Sequence, residues 1–70
     1  MKTIYRLEWY LEREGMINTK WMSSRIKAEE AFSELKNVLG KGCWLSLDEF
    51  VENDEAEGFN YGMQIYFTEI

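Results

Sequence analysis

Residues 24–40 read SRIKAEEAFSELKNVLG, and this stretch divides the chain into two halves. Ala28, Ala31, Phe32, Leu35, Val38 and Leu39 recur at steps of three and four, which lays one apolar stripe along a helix. Lys27, Glu29, Glu30, Glu34 and Lys36 fall mainly off that stripe. Ser23 or Ser24 offers a hydroxyl to cap the first turn. Gly40 stands where a left-handed C-terminal cap is expected, and Lys36 and Lys41 near that end suit the helix dipole.

Both flanks change period. Upstream, TIYRLEWYLE (3–12) puts Tyr5, Leu7, Trp9 and Leu11 on one side and Arg6, Glu8 and Glu12 on the other, with Ile4 and Tyr10 among them. Period two marks a half-buried strand. Gly15 permits a tight turn, and INTKWM (17–22) alternates again, with Ile17, Thr19 and Trp21 together. The pair reads as a hairpin. Downstream, CWLSLDEFVE (43–52) places Cys43, Leu45, Leu47 and Val51 on one side, broken by Glu49, and Trp44, Ser46, Asp48, Phe50 and Glu52 on the other. FNYGMQIYF (59–67) places Phe59, Tyr61, Met63, Ile65 and Phe67 on one side and Tyr66 on the other, and NDEAEG (53–58) joins the two strands.

The order strand, strand, helix, strand, strand predicts an α+β fold: a two-layer sandwich of a four-stranded antiparallel sheet with one helix on one face. The expected core is Tyr5, Leu7, Trp9, Leu11, Leu45, Leu47, Met63, Ile65 and Phe67, closed by the helix stripe around Phe32 and Leu35. The expected open face carries Ile4, Tyr10, Trp44, Phe50 and Tyr66, with Arg6, Glu8, Asp48 and Glu52 among them. One wet sheet face should be polar, so several large apolar side chains there point to a contact surface.

The length of 70 residues allows one domain, and such a domain buries only about 60% of its unfolded surface. Cys43 is the only cysteine and there is no histidine, which excludes an internal disulfide and argues against a zinc site. Three Trp, four Tyr and four Phe supply packing or an interface. A lone free cysteine and a charged N-terminal stretch suit a cytoplasmic protein with neither a signal peptide nor a membrane span.

Net charge is −5, and it is unevenly spread. All eight bases lie between Lys2 and Lys41, where six acids leave +2, whereas Gly42 to Ile70 holds seven acids and no base. The stretch LDEFVENDEAEG (47–58) alone has six carboxylates. Its spacing does not match a calcium loop, and its flanks read as strands rather than helices. Acid neighbours also disfavour direct nucleic-acid binding, although aromatic sheets stack bases elsewhere. Without histidine there is no Ser-His-Asp or Cys-His set, GKG (40–42) reads as a helix stop, and Cys43 reads as a small buried hydrophobe. Carboxylates such as Glu8 and Glu12 are candidates for an acid–base pair, and no cofactor or metal is expected.

In composition and architecture, over its whole length, the chain resembles small acidic one-domain proteins encoded by bacteriophages, among them anti-CRISPR and DNA-mimic inhibitors. The resemblance carries no residue-level motif. It implies a non-enzymatic protein that binds a host nuclease or nucleic-acid-binding complex and blocks it. Independently, the charge split and the missing catalytic set predict that Asp48, Glu49, Glu52, Asp54, Glu55 and Glu57 meet a basic protein surface, with Trp44, Phe50, Tyr66 and Tyr10 as aromatic contacts. The alternative is a small homodimeric structural or accessory domain that associates through the same aromatic face.

Overall fold

A computed structural model describes residues 2–53, 55 and 57–70. Strands β1 (Thr3–Leu11) and β2 (Met16–Met22) form the first hairpin, helix α1 (Arg25–Val38) follows, and strands β3 (Trp44–Glu52) and β4 (Phe59–Glu69) form the second. All pairings are antiparallel and the sheet order is β2-β1-β3-β4. The expected α+β architecture is therefore the observed one. The helix connection brings β3 back beside β1, so these two strands occupy the centre, and they hold the most buried residues.

Local chemistry sets the boundaries. The Leu11 carbonyl accepts from the Glu14 and Gly15 amides at 3.1 and 2.8 Å, and Gly15 takes φ 64 to bring Met16 opposite Leu11. Ser24 is the N-cap, and its hydroxyl accepts from the Lys27 amide at 3.3 Å. The helix does not end in a left-handed Gly40. Leu39 instead turns extended, at φ −73 and ψ 138, while its amide still bonds to the Leu35 carbonyl. Burial decides this: Leu39 packs against the core, and the extended turn takes it there.

Leu7, Leu45 and Leu47 are fully buried beneath Ala28 and Phe32, with Tyr5 beside them. Trp9, Met22, Ala31, Leu35, Leu39 and Ile65 close the margin. Val38, assigned to the stripe by spacing, is 75% exposed. The helix lies over β1 and β3 and the near side of β2. It reaches β4 through side chains: the Phe32 and Tyr66 rings lie 5.4 Å apart, and the Tyr66 hydroxyl donates to Glu29 at 3.0 Å.

Strand β4 departs from simple alternation. Its register with β3 breaks twice, between Leu47 and Asp48 and again between Glu49 and Phe50. Leu47 pairs with Tyr66 and Asp48 with Gln64, which leaves Ile65 without a counterpart; Glu49 pairs with Met63 and Phe50 with Tyr61, which leaves out Gly62. Each bulge lets two successive residues share a side. Three expectations change as a result. Tyr66 lies on the helix side rather than the open face. Phe67 lies on the open face rather than in the core, and Tyr61 and Phe59, expected on the same side as Met63 and Ile65, lie there with it. Met63 keeps the helix side but sits beyond the helix and is 51% exposed. Gly62 suits the second bulge, since a Cβ there would lie 3.0 Å from the Glu49 carbonyl oxygen.

Candidate functional site

The sheet face opposite the helix gathers side chains from all four strands. The register places Ile17, Thr19 and Trp21 of β2 beside Tyr10, Glu8 and Arg6 of β1. Beyond them come Trp44, Ser46, Asp48 and Phe50 of β3, then Glu69, Phe67, Gln64 and Tyr61 of β4. Period two in the central strands and the β4 bulges together produce this set. It resolves into two aromatic groups with a polar band between them.

The band centres on Asp48. Although it stands on the uncovered face, Asp48 is 3% exposed, because β1 and β4 flank it and aromatic rings rise around it. Its Oδ2 meets the Arg6 guanidinium at 3.3 Å and accepts from the Ser46 hydroxyl at 3.0 Å, and its Oδ1 accepts from the Tyr61 hydroxyl at 3.3 Å. Gln64 donates to Ser46 at 3.4 Å, and Arg6 also bridges Glu8 at 3.3 Å. A carboxylate removed from water needs such partners. Tyr61 titrates above the ordinary phenol value, first because its hydroxyl end is turned inward away from water, then through the charge and hydrogen bond of Asp48. More than half of the Tyr61 surface still faces solvent.

One aromatic group clasps Arg6. Its guanidinium carbon lies 4.9 Å from the centre of the Phe50 ring and 5.9 Å from that of Trp21, both within cation–π range. Trp21 meets Phe50 edge-on at 5.1 Å, and Phe50 meets Tyr61 edge-on at 5.4 Å. The second group lies at the other end of the face. Tyr10 and Trp44 stand directly opposite each other on adjacent strands, their rings 6.3 Å apart and 13° from parallel. Phe67 continues the row at 6.2 Å and 31° from Trp44. Glu69 is paired across from Trp44.

The structure thus brings together Tyr10, Trp44 and Phe50 of the expected contact residues and adds Trp21, Tyr61 and Phe67. It does not gather the carboxylates into one row. Asp48 is inside, Glu49 is on the helix side opposite Tyr5 and Met63, and Glu52 is exposed and accepts from the Lys2 amide at 3.1 Å. Glu55 and Glu57 are exposed in the second hairpin turn, and Asp54 lies outside the described residues. Within the strands, the open face carries Arg6 against Glu8, Asp48, Glu52 and Glu69, so it is net negative. Trp21 was legible in the alternation of Ile17, Thr19 and Trp21; Tyr61 and Phe67 were hidden by the bulges.

Of the candidate acid–base pair, Glu8 is bridged to Arg6 on the open face, whereas Glu12 lies in the first turn, its carboxyl group against Gly42. Among the described residues no group of three or more His, Cys, Asp or Glu side chains is placed to hold a metal. A groove of about 350 Å³ opens on the helix side between α1 and β2, lined by Leu7, Trp9, Ala31, Leu35 and Val38 with Lys20 and Glu34. Among the described residues no helix is long and apolar enough to cross a membrane. No family model, curated protein or solved structure matches the chain.

Proposed function

We propose that the chain is a protein-binding domain that inhibits or modulates its partner through the open sheet face. The observation that carries this reading is the pair of aromatic groups left uncovered on that face, Trp21–Phe50–Tyr61 and Tyr10–Trp44–Phe67. Contiguous exposed apolar surface rimmed by polar groups marks a contact site, and Trp and Tyr dominate the binding energy of such sites. Glu8, Glu52 and Glu69 on the strand face, with Glu55 and Glu57 at the hairpin, leave the surface net negative around the single Arg6. That sign supports a partner with a basic surface and opposes face-to-face pairing of two copies. A basic nucleic-acid-binding or nuclease protein is the narrower form of the same proposal.

Affinity capture with the wild-type chain tests it against two variants, Trp44→Ser with Phe67→Ser on the open face and Val38→Ser on the helix. The expected result is a captured basic protein that the open-face variant loses and the helix variant keeps. Capture should weaken as salt rises and, for a nuclease partner, should compete with DNA. Equal capture by both variants rejects the open face as the contact site. A chain that dimerises on its own, and stops doing so in the open-face variant, supports the homodimeric reading instead.

A further inference from the structure

The two ends of the open face are alike in chemistry but differ in occupancy. At one end aromatic rings and a carboxylate enclose a guanidinium that belongs to the chain itself: Arg6 lies over Phe50 and Trp21 and pairs with Asp48. At the other end Tyr10, Trp44 and Phe67 form a near-parallel row beside Glu69. Among the described residues, which include all eight Lys and Arg, no cation lies over these rings and none bridges Glu69. Glu8, on the neighbouring β1 row, shares the one Arg6 guanidinium with Asp48, so the surrounding field stays negative.

We propose that the Tyr10–Trp44–Phe67 row receives an arginine side chain of the partner protein, with Glu69 as its counter-charge. The inference rests on the binding role proposed above for this face and names the group the face recognises. A row in which Trp44 lies 13° from the plane of Tyr10 and 31° from that of Phe67 suits a flat cation. A guanidinium is planar, stacks on aromatic faces and is weakly hydrated, whereas an ammonium is a compact and strongly hydrated point charge. Arg6 demonstrates within the same sheet that ring, guanidinium and carboxylate fit together at this strand spacing.

The test uses the full chain with its tryptophan indoles labelled for NMR, the three signals being assigned by single Trp→Phe variants. The probes are N-acetyl-arginine methylamide and the citrulline and lysine analogues. The arginine probe should shift the Trp44 indole saturably, and the uncharged citrulline probe should bind about fivefold more weakly. Lysine should fall between them, and Glu69→Gln should weaken the arginine and lysine probes while sparing citrulline. The Trp21 signal should stay still, because Arg6 already fills that end. An equal response to arginine and citrulline, a larger shift at Trp21 than at Trp44, or no shift at Trp44 overturns the proposal. So does a Trp44 signal that moves with protein concentration alone, which assigns the row to a second copy, or one that responds to a single-stranded oligonucleotide and not to arginine. Any of these results leaves the capture experiment intact, because that experiment asks whether the face binds a protein and not which side chain it takes.

Discussion

Arg6 and Asp48 stand directly opposite each other on β1 and β3, joined at 3.3 Å, on the face of the sheet that no helix covers. This pair anchors the polar band between the two aromatic groups of that face. Asp48→Ala leaves the Arg6 guanidinium with Glu8 alone and takes the acceptor from the hydroxyls of Ser46 and Tyr61. Removing one partner of a buried pair costs about 3–5 kcal/mol, and the 28% exposure of the Arg6 side chain reduces this to about 2–3 kcal/mol. Urea unfolding measures the loss. The double variant Arg6→Met, Asp48→Leu should lose less than the sum of the two single changes.

Two phenols should ionise late. Tyr66 is held above the ordinary value of about 10 first by its hydrogen bond to Glu29 and then by that carboxylate's charge, while Tyr61 is held there by inward placement and Asp48. A folded-state value above the unfolded one means the folded chain keeps the proton longer. The stabilisation is therefore complete below about pH 10 and lost as pH rises through the raised folded values. Phenolate absorbance against pH should show two late-titrating groups, which disappear in Tyr61→Phe, Tyr66→Phe. Stability of that double variant should fall less steeply in alkali than that of the wild type.

Gly62→Val tests the second bulge. The new Cβ would meet the Glu49 carbonyl at 3.0 Å, and backbone cannot yield as a side-chain tip can. Crowding of this kind destabilises by about 1–3 kcal/mol. Thermal unfolding should show the loss, and amide exchange should place it in β4 rather than in the β1–β2 hairpin.

Leu47→Ala and Val38→Ala separate core from periphery. Leu47 is fully buried, so its truncation should cost about 3 kcal/mol, comparable with the whole stability of about 3–5 kcal/mol that so small a core supplies. Val38 is largely exposed and should change stability by less than about 0.5 kcal/mol. Circular dichroism at room temperature should already distinguish the two variants.

The architecture and the inner faces of β1 and β3 were legible because they rest on unbroken local periods. Leu7, Leu45 and Leu47 alternate cleanly, and Ala28 and Phe32 sit one helical turn apart. Tyr66 and Phe67 exchanged sides because a bulge changes facing without changing composition; FNYGMQIYF alternates whether or not Ile65 is paired. Asp48 was placed on the right face and given the wrong environment. Its dryness comes from Arg6, Tyr61, Gln64 and the rings of other strands, none of which is near it in sequence. The expected carboxylate row failed for a local reason that period two already contained: strand parity sends Glu49 and Glu52 to opposite sides.

Strand β4 runs for eleven residues at the margin of the sheet, contains no proline, and carries one charge, Glu69. A border of that kind ordinarily recruits another strand, and repeated recruitment builds filaments. The extra residues at Ile65 and Gly62 bend the strand and put its outward amides and carbonyls out of step with any straight template. Pairing along the β4 border is thereby opposed, while adhesion perpendicular to the plane is left open. The chain can display a broad ring-covered surface without polymerising through its β4 border.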